Sequence, residues 1–179
     1  MLKILLSISI TLTLVSCTSH RYETVEIIGK ETQTNQIIVR GMGVKLSTDQ
    51  ILTSAHVVRD DAMIYEIGGQ IYQVSYRDSG GDRAILSTPS HPQKHTQMPQ
   101  FQRVRLGDPI YTEVSRSGSI VHIAGKVLDP AGSVLGYDPL GRVVSLSGIV
   151  LTDIDLQPGD SGAPIFTTER EIVDVVHVR

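Results

Sequence analysis

Apolar residues recur along this chain in short β-branched runs rather than in long stripes. The first runs are 36–40, 44–46 and 50–53, and Gly, Asp, Asn and Ser residues typical of turns separate them. The same rhythm returns later, in the runs 103–106, 110–111, 120–123, 143–146, 149–151 and 172–178. No window after the N-terminal segment has the 3.6-residue apolar stripe of an amphipathic helix. The pattern therefore predicts an all-β fold.

A polar segment divides this strand-rich sequence into two parts. Residues 88–100 are rich in Pro, Ser, Gln and His and have almost no apolar content, which is typical of an exposed connector. We therefore predict two small antiparallel β-barrels, one over about 24–90 and one over about 103–179, with the connector at about 88–102. A domain of this size buries roughly 70% of its unfolded surface, so it needs no disulfide to fold.

The first sixteen residues form a candidate targeting segment. Lys3 supplies a positive start, and residues 4–15 form an apolar run too short to span a bilayer. The four residues ending at Cys17, Leu-Val-Ser-Cys, resemble a bacterial lipobox, in which the cysteine is lipidated and becomes the first residue after cleavage. We expect a signal peptide over 1–16 and a lipidated tether over 17–23. The alternative is an ordinary cleaved signal that contains a cysteine.

Export and attachment to a membrane follow from this interpretation. Thr18, rather than Asp, follows the cysteine, which resembles the pattern of outer-membrane lipoproteins in Gram-negative bacteria. We expect a lipoprotein anchored through Cys17 on the periplasmic face of that membrane, or otherwise a secreted protein.

Charge and histidine spacing argue against nucleic-acid and metal binding. The net charge of -3 leaves no basic stripe of the kind that nucleic-acid binding requires. His91 and His95 are four residues apart, but Pro92 and the polar context argue against a helix that presents both to a metal. The sequence predicts no metal site, no cofactor and no nucleic-acid partner.

The most informative stretch is residues 157–164, Gln-Pro-Gly-Asp-Ser-Gly-Ala-Pro. A serine flanked by glycines on a tight turn exposes its hydroxyl while nearby backbone N–H groups point at one spot. Ser161 is therefore a candidate nucleophile, and the N–H groups of Gly159 and Ser161 are candidate donors to an oxyanion. Standing alone, the motif is equally consistent with an ordinary glycine-rich turn.

A histidine and an aspartate upstream supply what a serine nucleophile needs. His56 follows the apolar run 51–53 and two small residues that leave room for its ring, and neutral imidazole suits proton abstraction near pH 7. Asp82 begins another apolar run and is a candidate to orient that histidine. Asp60 and Asp61 are rivals, but they follow His56 too closely in a charged turn. The other histidines are interpreted as surface or satisfied core residues: His20, His91, His95, His122 and His177.

Three blocks, 52–56, 82–86 and 159–164, occur in the order His, Asp, Ser. Together they resemble the signature motifs of the chymotrypsin-like (trypsin-like) serine peptidases. The sequence Thr-Ser-Ala-His-Val-Val and the residues ahead of Pro158 are nearer to the disulfide-free bacterial HtrA-like branch. The likeness covers about residues 36–178.

This resemblance implies a fold and a chemistry. The fold would be one serine peptidase domain over 24–179, made of two orthogonal six-stranded antiparallel β-barrels with the active site in the cleft between them. The chemistry would be acyl-enzyme hydrolysis of peptide bonds by the triad Ser161, His56 and Asp82, with Gly159 and Ser161 as the oxyanion hole and without metal or cofactor.

Some residues depart from the family's pattern. Asp160 stands where HtrA-like proteins have Asn, and in the trypsin branch that aspartate pairs with a freshly cut amino terminus. A lipidated Cys17 has no free amine, so we expect an arginine or hydrogen bonds to satisfy Asp160. Asp174 replaces the glycine usual in the last strand, and Arg179 falls where the substrate backbone would run. Because a short segment follows Ser161, we expect no PDZ module after it.

The specificity pocket is a further candidate. By counting back from Ser161, Asp155 falls where trypsin-branch enzymes place the base of the primary pocket, and a carboxylate there would favour Lys or Arg before the scissile bond. The alternative is that Asp155 points elsewhere, because the disulfide that shapes that pocket is absent.

Three functional hypotheses remain open. The first is an exported, lipid-anchored serine endopeptidase that acts on cell-envelope or extracellular proteins. The second is a catalytically silent binding lipoprotein on the same fold. The third is an enzyme that is inactive until a partner orders its oxyanion loop. The complete triad favours the first, and the sequence specifies neither the natural substrate nor the oligomeric state.

Overall fold

A computed structural model of the chain describes residues 22–58, 63–90, 96–137 and 143–177. Regular structure in these ranges is entirely β. The strands are β1 (Glu23–Glu31), β2 (Ile37–Lys45), β3 (Gln50–Ser54), β4 (Met63–Ile67), β5 (Gln70–Asp78), β6 (Arg83–Ser87), β7 (Pro109–Arg116), β8 (Ser119–Tyr137), β9 (Val143–Thr152), β10 (Pro164–Thr167) and β11 (Ile172–Val175). The predicted all-β class is confirmed. These ranges contain no helix that could cross a membrane.

The first six strands close into an antiparallel barrel. Their order is β1-β2-β3-β6-β5-β4, and β1 completes the circle because it pairs with both β2 and β4. Inward-facing apolar side chains fill the interior, and their removal from water is the main stabilising term for such a barrel. The largest of these side chains are Ile27, Ile51, Tyr65, Tyr72 and Leu86.

Strand β2 runs unbroken through two glycines that the sequence pattern treated as separators. A Cβ atom at Gly41 would overlap the side chain of Val57, and one at Gly43 would overlap Ile51. The glycines therefore mark close packing inside the barrel rather than a turn.

The second half is a five-stranded antiparallel sheet in the order β11-β10-β7-β8-β9. Its strand β8 is 19 residues long and pairs with β7 through its first part and with β9 through its last part. Register shifts between Val127 and Ser133 mark β-bulges, where an antiparallel strand bends. One long bent strand thus serves both pairings. The described residues form a curled antiparallel half-barrel of five strands, which confirms the predicted two-part barrel architecture with one strand fewer than the six predicted.

The two halves share an apolar cluster. Three residues of the first barrel pack against three from the last two strands: Val44, Leu52 and Ile85 against Phe166, Ile172 and Val175. Strands β10 and β11 are buried along their whole length, and β3 and β6 are buried except at their first residues. The ends of these strands are therefore fixed relative to one another.

The segment between the halves differs from its prediction in one respect. Residues 103–106 were predicted as a strand, but Asp108 closes them into a turn. The Arg105 N–H donates to the Asp108 carboxylate at 2.8 Å, and the Asp108 N–H donates to the Arg105 carbonyl at 3.1 Å. Met98 and Phe101 of the connector pack on the shared apolar cluster, so this part is anchored by side chains that its polar composition concealed.

Candidate active site

His56 and Asp82 meet because neighbouring strands end beside each other. His56 follows β3 and Asp82 precedes β6, and these strands pair with Ser54 opposite Arg83. The Ala55 N–H donates to the Asp82 carbonyl at 2.9 Å. The His56 backbone N–H donates to Asp82 Oδ1 at 2.9 Å, and His56 Nδ1 lies 2.7 Å from Asp82 Oδ2. Both oxygens of one carboxylate thus orient one histidine.

Asp82 is a buried carboxylate that stays ionised. Burial alone would raise the pKa of its carboxyl, but hydrogen bonds from His177 and His56 hold that pKa well below its ordinary value. Because a carboxylate only accepts hydrogen bonds, Nδ1 of His56 carries a proton, and in the neutral ring Nε2 has the free lone pair. Nε2 is buried and has no hydrogen-bond partner among the described residues. This is the protonation pattern of a general base.

Ser161 lies in a compact turn before β10. The Asp160 N–H donates to the Gln157 carbonyl at 3.0 Å, with Pro158 and Gly159 at the central positions. Gly159 has φ +100°, as position three of a type II turn requires. The Ala163 N–H donates to the Asp160 carbonyl at 2.9 Å, so a second turn follows directly and contains the serine.

The serine turn packs on the first barrel beside the histidine. The Met42 N–H of β2 donates to the Ser161 carbonyl at 2.8 Å. The carbonyl of Val176 accepts from the Gly162 N–H at 2.9 Å and from the Ser54 hydroxyl at 2.6 Å, two residues before His56. The turn that carries the candidate nucleophile and the strand end that carries the candidate base therefore meet at one carbonyl.

Gly162 makes this close docking possible. Its φ is +85°, and a Cβ atom there would overlap the Met42 carbonyl oxygen and Thr53 Oγ1, which are themselves hydrogen-bonded at 2.7 Å. The motif's second glycine thus fits where two segments of the barrel leave room only for a backbone.

Gly162→Ala is expected to destabilise the fold far more than Gly159→Ala. Both glycines have positive φ, so each substitution costs about 1–2 kcal/mol of strain. An alanine at Gly162 also overlaps backbone, which adds about 1–3 kcal/mol, whereas nothing lies within 4 Å of the corresponding position at Gly159. Urea unfolding of the two variants measures the difference, and equal midpoints would contradict this packing.

Asp160 has the cationic partner that the sequence predicts it to need. Its carboxylate is 1% exposed and forms a two-pronged ion pair with the Arg116 guanidinium, in which Nη2 donates to Oδ2 at 2.6 Å. The Gln157 N–H donates to the same oxygen at 2.8 Å. The pair raises the pKa of Arg116 further above its usual range. The end of β7 thereby secures the turn before Ser161.

His177 is the site residue that the sequence analysis missed. Its side chain is almost fully buried, and its Nδ1 lies 3.3 Å from Asp82 Oδ2, the oxygen that also contacts His56. Its Nε2 lies 3.3 Å from Oδ1 of Asp174. Hydrophobic patterning gave no signal for this cluster, since only folding brings β11 and the start of β6 together.

Asp174 belongs to the same cluster. The Arg83 guanidinium donates to its two oxygens at 2.8 and 2.9 Å, and the N–H groups of Val150 and Val175 each donate at 2.9 Å. Burial would raise the pKa of Asp174, but the His177 ring beside it and the hydrogen bonds from Arg83 lower it. An aspartate that the sequence marked as unusual in this strand is therefore a fully partnered buried anion.

The remaining candidates lie at the surface or outside the described residues. Asp155 is exposed on the loop between β9 and β10, and its proposed place at the base of a pocket stays a prediction. His122 is mostly exposed and stacks on Tyr111. The described ranges contain no group of three or more His, Cys, Asp or Glu side chains that could hold a metal. Outside these ranges lie Cys17, Thr18, His20, Asp60, Asp61, His91, His95 and Arg179.

The architecture is that of the trypsin-like serine protease fold. The Rv3671c protease of M. tuberculosis in its active form superposes with a TM-score of 0.60 at 21% identity, over 86% of this chain and 68% of that one. Deg5 gives 0.61 at 18% identity over 85% and 77%, and the MamO protease domain of Magnetospirillum magneticum gives 0.61 at 15% identity over 84% and 82%. No protein-family model matches the chain. At these identities the likeness establishes the fold.

Proposed function

We propose that this protein is a serine endopeptidase with Ser161 as nucleophile, His56 as general base and Asp82 as the residue that orients the histidine. The observation that supports it most is the buried, ionised Asp82, which accepts hydrogen bonds from both the backbone N–H and Nδ1 of His56. That arrangement leaves Nε2 as a base beside the docked serine turn. A binding protein has no need of an imidazole with this tautomer.

The reaction would follow from these groups. Ser161 Oγ attacks the scissile carbonyl carbon while its proton passes to His56 Nε2, and the imidazolium that forms is stabilised by Asp82. The same proton then goes to the leaving amine as the C–N bond breaks, which leaves an acyl-serine. A water molecule, activated by His56 in the same way, hydrolyses the ester and restores the serine.

The oxyanion would be bound by the backbone N–H groups of Gly159 and Ser161. Each such donor stabilises the transition state by about 3 to 4 kcal/mol. The Arg116–Asp160 pair supports this assignment because it anchors the turn through groups of the chain itself. We therefore favour an enzyme that needs neither a newly cut amino terminus nor a partner to order this loop.

The proposal also includes where the protein is located and which substrates it cleaves. We infer export through residues 1–16 and attachment to a membrane through a lipid on Cys17. The substrates would then be cell-envelope or extracellular proteins. Asp155 would select Lys or Arg before the scissile bond if a substrate side chain reaches it.

A fluorophosphonate probe and casein test this function. We expect the wild-type chain to be labelled, with the probe mapped to Ser161 by mass spectrometry, and to degrade unfolded casein. The Ser161→Ala variant, with the same thermal midpoint, should do neither. A folded wild type that stays unlabelled would favour the binding-protein or partner-activated alternatives instead.

A further inference from the structure

We propose that His177 is a positioning residue which, as a buried imidazolium between Asp82 and Asp174, keeps His56 available as a base at mildly acidic pH. The proposal rests on the proposed function, since it assigns His56 its catalytic role. His177 contacts Asp82 and Asp174, and it would act on the triad through Asp82.

The two carboxylates beside His177 favour two protons on its ring. Nδ1 faces Asp82 Oδ2 and Nε2 faces Asp174 Oδ1, each at 3.3 Å. Both carboxylates are otherwise surrounded by donors, so neither has a proton to share. The Nδ1 contact is a hydrogen bond, whereas the Nε2 contact is an ion-pair contact without hydrogen-bond alignment. A neutral imidazole would place a lone pair against one of these anions, whereas the imidazolium is attracted to both. The side chain is 6% exposed, so water does not screen this arrangement.

The charges around His177 come from three elements. Asp82 lies in the turn before β6 and Arg83 begins that strand, Asp174 lies on β11, and His56 follows β3. With two carboxylates, one guanidinium and one imidazolium, the cluster is neutral when His56 is neutral. Protonating His56 would then add an uncompensated positive charge to a buried neutral cluster, which is unfavourable.

The two histidine rings influence each other strongly because both contact the same carboxylate oxygen of Asp82. His56 Nδ1 and His177 Nδ1 contact the same Asp82 Oδ2, at 2.7 and 3.3 Å. The cation on one ring therefore offsets the attraction that Asp82 exerts on a proton at the other. Without His177 the carboxylate would stabilise only the His56 imidazolium, and the enzyme would lose its base at a higher pH. A single buried charge at this separation changes the pH at which the base is lost by roughly one unit.

The same contacts determine how the stabilisation of the fold by His177 depends on pH. Burial lowers the pKa of His177, but its contacts with the Asp174 and Asp82 carboxylates outweigh this effect and raise the pKa above 6.5. Its contribution to stability is therefore complete below pH 6.5 and is lost as the pH rises through the folded-state value.

The test compares wild type with His177→Gln, which keeps a hydrogen-bond donor and removes the charge. The rate of fluorophosphonate labelling falls as the pH is lowered, and we expect this acidic limb of the pH–rate profile to lie roughly one pH unit higher in the variant than in wild type. The variant should therefore lose more of the wild-type rate at pH 6 than at pH 8. The urea midpoint of wild type should exceed that of the variant by more at pH 6 than at pH 10. His122→Gln, which removes a mostly exposed histidine away from the cluster, should match wild type in both measurements.

The outcomes separate the two proposals. A labelled wild type with an unmoved acidic limb in a folded His177→Gln variant would overturn the role of His177 and leave the peptidase intact. A loss of labelling by the same factor at every pH would also overturn it, because that is the mark of a merely structural residue. If wild type is folded but unlabelled, the peptidase proposal fails, and the pH dependence of the urea midpoints still decides whether His177 is a buried cation.

Discussion

Asp82→Asn is expected to lower the rate of peptide hydrolysis by about 10⁴-fold while leaving the chain folded. An asparagine fills the same space, but its NH₂ group can face His56 Nδ1, where the carboxylate now accepts. That would move the imidazole proton to Nε2 and remove the lone pair that takes the serine proton. The neighbouring His177 would lose one of its two anions as well.

Casein cleavage and fluorophosphonate labelling at pH 8 measure this effect, and circular dichroism checks the fold. Asp129→Asn is the matched control, because Asp129 is exposed and accepts only a local hydrogen bond from the Ala131 N–H. The control should retain wild-type activity. A loss below tenfold in Asp82→Asn would mean that another group orients His56, and the triad assignment would be wrong.

Arg116→Ala is expected to destabilise the fold by about 3 kcal/mol and to reduce labelling at least about 100-fold. The substitution leaves the Asp160 carboxylate buried without its cation, with the Gln157 N–H still donating to it. We place the stability cost at the lower end for a broken buried ion pair, because Arg116 is itself 31% exposed. The turn that presents the Gly159 and Ser161 N–H groups would relax toward solvent to hydrate the anion.

A double-mutant cycle separates charge from packing in this prediction. Arg116→Ala combined with Asp160→Asn should recover part of the lost stability, since no charge is then left buried. Arg116→Lys should rescue incompletely, because an ammonium group cannot form the two-pronged contact. Urea midpoints of the four proteins give the coupling energy. Strict additivity of the single variants would show that the pair does not anchor the turn.

Burial patterns along the strands were predictable from short-range sequence. β-branched runs placed β3, β6 and β11 correctly, since an extended chain with alternating or fully buried faces has a recognisable composition. The failures have a common cause. Gly41 and Gly43 were taken as turns because only the neighbouring Val57 and Ile51, brought close by folding, explain them. The run 103–106 was taken as a strand although the local hydrogen bonds to Asp108 favour a turn.

The candidate site also has residues that the sequence could identify and residues that only the structure reveals. Ser161, His56 and Asp82 were accessible from sequence because each lies in a local motif whose composition the chemistry demands. The requirement that Asp160 be paired was also accessible, but not the identity of Arg116, 44 residues away on another strand. Nothing local distinguishes His177 from His20, His91, His95 and His122, and its role appears only when β11 lies beside the turn before β6.

By itself, the sequence therefore determined the all-β class, the order of the chemical groups and the need to neutralise a buried aspartate, since these depend on residue type and short spacings. The tertiary structure decided which charges share the buried space around Asp82, how β8 bends to serve two neighbours, and that the second half is a curled sheet. These depend on contacts between residues distant in the chain, which local propensity does not encode.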